Sequence, residues 1–107
     1  MALQVEELLQ ACVDKNATDI YLTVGSPATL RFGARLEPVG NDNLTGDDIQ
    51  HAMQVILSPD IIEEFESTLE YNTAINWKNA ARFRVNVFRQ RQNTGIVLRR
   101  IQTNIPS

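Results

Sequence analysis

Between Ala81 and Ile101 the apolar residues fall on every second position, twice over. Phe83, Val85 and Val87 alternate with Arg82, Arg84 and Asn86; beyond "RQNTG", Ile96 and Leu98 alternate with Val97 and Arg99. A period of two is the pleat of a β-strand with one apolar face. Two such runs in succession make a hairpin, which is stable in water only when that face is covered. Register follows, because Ile96 and Leu98 must lie beside Val85 and Val87 or the returning strand would bury arginine. Parity then gathers Arg82, Arg84, Asn86, Phe88, Val97, Arg99 and Ile101 on the outer face. Arg100 points the other way, toward a structural role.

The cover comes from the rest of the chain. Residues 3 to 16 space Val5, Leu8, Leu9, Cys12 and Val13 along one helical face. "ATDIYLTV" returns to period two, with Ile20, Leu22 and Val24 inward and Asp19, Tyr21 and Thr23 outward. After a break at "GSPA", alternation in "TLRFGARLEPV" puts Leu30, Phe32, Ala34 and Leu36 inward, with Gly33 where a turn splits the run. Thr45 is an N-cap for a second helix with Asp47 and Asp48 in its first turn; Ile49, Met53, Ile56 and Leu57 form its buried face. Ser58 and Pro59 start a third helix, with Ile62 and Phe65 inward. Residues 70–77 read as a strand, followed by a turn at "KNA". The order predicts an α+β domain: an antiparallel sheet of about five to six strands with helices on one face.

At 107 residues the chain suits one domain. A single cysteine, Cys12, excludes an internal disulfide and fits a reducing compartment. No apolar run reaches the length of a membrane span, and the acidic start "MALQVEELLQ" does not read as a signal peptide, so the expected address is the cytoplasm.

Charge is divided unevenly. Residues 82–100 hold six arginines and no acid, although the net charge is −3. Residues 1–70 carry a net −10 and residues 71–107 a net +7. Either the two halves interleave and cancel, or the arginines serve a nucleic acid, an acidic partner protein or nucleotide phosphates. A pI near 5.0 and the lack of a nucleic-acid motif oppose the first of these partners. Three outer-face arginines repel one another unless an anion or carboxylate sits among them, and a planar guanidinium suits phosphate. The five glycines form no GxxxxGK loop, and no metal-ligand spacing is present. His51 stands alone in a helix, between Gln50 and Ala52, and reads as a structural or solvent-facing residue. Asp19, at a strand start, lacks an evident partner for general-base chemistry, and a turn or capping role is expected. No catalysis is expected from this chain by itself.

"ATDIYLTVGSPATLRFGARLEPV" resembles the first strands of secretion-ATPase N-terminal domains, where an A-S/T-D-I/L-H-L strand precedes a G-x-P turn and an R-x-x-G-x-L hairpin. "ARFRVNVFRQRQNTGIVLRRIQTNIPS" is similar to the G/A-R-F-R-V-N-x-F-x-Q-R segment of type IV pilus retraction ATPases of the PilT/PilU type, its "VLRRIQTNIP" ending leaning to the PilU side. The resemblance implies a PAS-like N-terminal domain over 1–102, with 103–107 starting a linker to a RecA-like ATPase domain. It implies a hexameric motor for twitching motility that uses ATP and Mg2+ held by the ATPase domain, with no cofactor or metal on this domain alone. Its partners would be its own RecA-like domain, neighbouring subunits and the pilus platform protein at the inner face of the cytoplasmic membrane, not nucleic acid. By position, Arg82, Arg84 and Arg99 would reach the nucleotide phosphates. A PAS-like module that docks a partner or small ligand is the alternative. Two departures stand out: Tyr21 replaces the usual histidine, and "RQNTG" lacks the glycine-rich hairpin tip, so no role passes to Arg89 or Arg91.

Overall fold

Helix α1 runs Val5–Asp14 and turns Val5, Leu8, Leu9 and Cys12 into the core, the face expected from their spacing. The computed structural model describes residues 4–78 and 81–101. The linker expected at 103–107 and part of the turn expected at 78–80 lie outside these residues. The chain leaves α1 through Asn16, at φ +61, a left-handed conformation that asparagine tolerates well. There Arg100 closes the helix end, donating from Nε to the Ala17 carbonyl at 2.7 Å and from Nη2 to Asn16 Oδ1 at 2.6 Å. Its structural role is thereby confirmed.

The strands are β1 (Asp19–Thr23), β2 (Ala28–Phe32), β3 (Arg35–Val39), β4 (Glu70–Trp77), β5 (Ala81–Gln90) and β6 (Asn93–Ile101). They form one antiparallel sheet in the order β3-β2-β1-β6-β5-β4. Val85 pairs with Leu98 and Val87 with Ile96, the register that their hydrophobic match demands. With Phe83, Ile20, Leu22 and Leu30 they make the apolar face, all at most 1% exposed. Helix α2 (Gly46–Ile56) lays Ile49, Ala52 and Met53 on that face, and α3 (Pro59–Thr68) adds Phe65. The helices cover one side of the sheet only, as expected for the α+β class.

One strand departs from expectation. Ala34 and Leu36 were expected inward, yet β3 is exposed along its whole length, Leu36 to 59%. Gly33 and Ala34 form a two-residue turn, with Gly33 at φ +64, so Phe32 pairs directly with Arg35. A turn of two residues brings the strand back with its parity inverted. Leu36 therefore pairs with Arg31, on the side away from the helices.

Both later helices start as their sequences require. Thr45 Oγ1 accepts from the Asp48 N–H, and Asp48 Oδ2 accepts from the Thr45 N–H at 2.9 Å, a capping box. The Thr45 N–H, before other groups, holds the Asp48 carboxyl below its ordinary range. A depressed folded-state value means that this contribution is full above the ordinary carboxyl range and fades as pH falls through the lowered one. Thermal melts from pH 6 to about pH 3 should therefore show less acid loss in Asp48→Asn than in the parent chain; parallel curves would count against the cap. Thr45→Ala should cost about 1 kcal/mol at neutral pH.

Gly95 on β6 faces Phe88 on β5, and a Cβ there would come within 2.6 Å of the Phe88 ring. The ring covers the bare backbone of the glycine. Gly95→Ala must push it off, and a Phe88 ring found in its original place in the variant's structure would refute this packing.

Candidate functional site: an arginine row on the open sheet face

The face away from the helices carries a row that crosses five strands. Cross-strand pairing sets Ala74, Arg84, Arg99, Asp19 and Arg31 side by side on β4, β5, β6, β1 and β2. Arg84 and Arg99, placed together by parity alone, are direct partners. Arg82 lies one pleat further along β5, opposite Ile101. Beside the pair is a shallow depression of about 250 Å³, lined by Asp19, Tyr21, Asn72, Asn86, Arg84 and Arg99 among others. Arg82 is not part of its lining.

Asp19 corrects a second expectation. It serves no turn or cap; it sits within β1, 4% exposed, with Oδ2 3.4 Å from Arg99 Nε. The contact supplies the carboxylate that clustered arginines require. Arg31, unnoticed as a site residue, extends the row: it donates to the Tyr21 hydroxyl at 3.1 Å and to the Gly33 carbonyl. The Tyr21 bond raises the Arg31 pKa above even its ordinary value, so its charge is permanent. Among the described residues, Arg82 and Arg84 have no carboxylate partner. Asn86 donates to Asn72 Oδ1 at 2.6 Å, fixing the far wall of the depression.

The remaining titratable groups belong to the framework. Arg89 points to the helix side, bridging to Glu66 at 3.0 Å and lying 5.5 Å from the Phe65 ring centroid. Arg91 is at the hairpin tip with φ +61, and His51 is exposed on α2. Burial pushes the Cys12 thiol above its ordinary range, which leaves it a poor nucleophile. Among the described residues no three His, Cys, Asp or Glu side chains gather as metal ligands, and no helix is long and apolar enough to cross a membrane. The two charge-divided halves do interleave, since β1 lies against β6 and the Arg89–Glu66 and Arg99–Asp19 pairs join them.

No protein-family model matches the chain. It is 33% identical over 105 residues to the type IV pilus ATPase PilU of Pseudomonas aeruginosa, an alignment covering 98% of this chain and 28% of that protein. It is 26% identical over 103 residues to the type IV pilus retraction ATPase PilT of the same organism, covering 96% and 30%. The crystal structure of the pilus retraction motor PilT with bound ADP superposes with a TM-score of 0.85 at 27% identity, over 97% of this chain and 31% of that one. Over nearly its whole length the chain is therefore similar to one domain of the type IV pilus ATPases PilU and PilT, and it shares that domain's fold. The ATPase DotB of Legionella pneumophila, at 23% identity and a TM-score of 0.78 over 94% of this chain and 30% of that one, extends the likeness of fold alone. The chain spans about three-tenths of the length of these relatives.

Two members of the row, Asp19 and Arg31, escaped sequence reasoning. In both, alternation had given the correct face. What was missing was the strand order that brings β1 between β2 and β6, and no local pattern encodes that.

Proposed function

We propose that this chain is the N-terminal domain of a hexameric, ATP-driven motor for type IV pilus retraction. In this reading Arg82, Arg84 and Arg99 bind the phosphates of ATP held by a RecA-like domain of the same motor. The observation that carries it is the Arg84–Arg99 pair, side by side on an uncovered sheet face beside an open depression. Two guanidiniums at one level, only one of them near a carboxylate among the described residues, are suited to an oxyanion. The relatives' names, an ATPase and a motor with bound ADP, supply the nucleotide.

ATP and Mg2+ belong to the ATPase domain in this reading. The chain has no GxxxxGK loop and, among the described residues, no metal-ligand cluster. The arginines neutralise phosphate charge and hold the sheet face against the nucleotide. Because both stand on one hydrogen-bonded hairpin, they move together, and the intact nucleotide stabilises the closed arrangement of the two domains. Hydrolysis and phosphate loss weaken that grip and let the domains separate. The domain then works in the cytoplasm, at the inner face of the membrane, against neighbouring subunits and the pilus platform protein.

The test is ATP turnover by a motor chain bearing Arg84→Ala or Arg99→Ala; near-normal turnover by both removes this reading. A non-catalytic docking module is the second reading, favoured by Leu36 and Val39, which stay exposed on the edge strand β3. It requires the arginines to be dispensable in the motor.

A further inference from the structure

Among the described residues, Arg99 is held at one corner. Asp19, its cross-strand neighbour, contacts Nε, the inner nitrogen of the guanidinium. The two terminal nitrogens, which form the outer edge of the planar fork, make no hydrogen bond to any described residue. The Arg99 side chain is 67% exposed while that of Asp19 is 5% exposed. A carboxylate so buried requires a compensating cation. Arg31 flanks Asp19 on the other side, but its hydrogen bonds go to Tyr21 and Gly33, and Arg99 is the only ion partner of Asp19 among the described residues. Burial of Asp19 and orientation of Arg99 are therefore one constraint. Asp19 also draws the Arg99 charge away from Arg84, which repels it across the β5–β6 ladder.

We propose that Asp19 is a positioning residue: it tethers Arg99 through Nε so that the two-nitrogen edge is presented, beside Arg84, as a fork for a polyphosphate oxyanion. The proposal rests on the phosphate reading above and deepens it. Asp19 has two opposed effects on an anion, because its charge repels the ligand while its tether prepares the arginine that binds it. Asp19→Asn and Asp19→Ala remove the same charge, but only asparagine keeps an oxygen able to accept from Nε. Their difference isolates the tether.

The experiment titrates this 107-residue chain with tripolyphosphate and follows the arginine Nε–Hε signals by NMR. Asp19→Asn should bind at least as tightly as the parent chain, and Asp19→Ala about 3- to 10-fold more weakly than Asp19→Asn, the share of one tethering hydrogen bond. The Arg99 Nε–Hε signal should be distinct in the parent and Asp19→Asn, and averaged by exchange in Asp19→Ala. Equal affinity of the two folded variants, or a parent Arg99 signal like that of exposed Arg35, overturns the positioning role. Should Asp19→Ala not fold, Arg99→Lys replaces it: it keeps the charge but lacks the second edge, and parent-like binding by it overturns the fork. If Arg84→Ala and Arg99→Ala bind like the parent, or the parent does not bind, the phosphate reading fails, while the Nε signal still decides the tether.

Discussion

Arg84→Ala, placed in the motor proposed above, is expected to cut ATP turnover by roughly 10³-fold or more while leaving the domain folded, if the arginine meets transition-state charge. That loss corresponds to about 4 kcal/mol of barrier. Against it stands the small structural role of the side chain: Arg84 is exposed and, among the described residues, has no ion partner. Exposed substitutions of this kind change stability by about 0.5 kcal/mol or less. The catalytic effect should thus exceed the stability effect several times over, and one melting curve beside one turnover assay separates them. Arg99→Ala is expected to lose comparable activity, with some stability lost as well, because it leaves the Asp19 carboxylate buried without its cation. Arg82→Ala should do less, since Arg82 lies outside the depression that Arg84 and Arg99 share. If Arg82→Ala were the most damaging of the three, the nucleotide would have to approach from the Ile101 end of the hairpin.

How far the sequence carried these conclusions depends on how local each cause is. Parity within β5 and β6 was legible to the residue, because burying Arg84 or Arg99 in place of Val85 or Leu98 would be prohibitive. The capping of α2 by Thr45 and of α3 by Ser58 was legible for the same reason: each cap bonds to an N–H three residues on. Leu36 was misplaced because alternation was carried through a turn whose two residues, Gly33 and Ala34, reverse it. The Asp19–Arg99 contact spans 80 residues and exists only because β1 pairs with β6 and not with its sequence neighbours alone. A charge tally by halves hid that contact, since it treated as segregated two groups that the sheet sets side by side. Local rules thus located the arginines, and the sheet order determined which of them meets a carboxylate.

Phe83→Ala is the contrasting case, one residue from Arg84 and on the opposite face. Phe83 is wholly buried and pairs across the sheet with Ile75 and Arg100. Truncating a phenylalanine in such a site costs about 3–5 kcal/mol through lost transfer energy and the cavity left behind. A domain of this size has about 5–15 kcal/mol in all, so much of the stability goes with one ring. The melting temperature should fall by roughly 15 °C or more. A fall of only a few degrees would mean that α2 and α3 close over the gap, and that the sheet does not depend on this ring. The two variants together bear on the arginine row itself. Arg84 and Arg99 stay level only while the β5–β6 register holds, and that register is enforced from beneath by Phe83, Val85 and Leu98. Phe83→Ala should therefore lose tripolyphosphate binding along the same temperature curve as it loses fold, whereas Arg84→Ala should lose binding at every temperature at which the domain is intact.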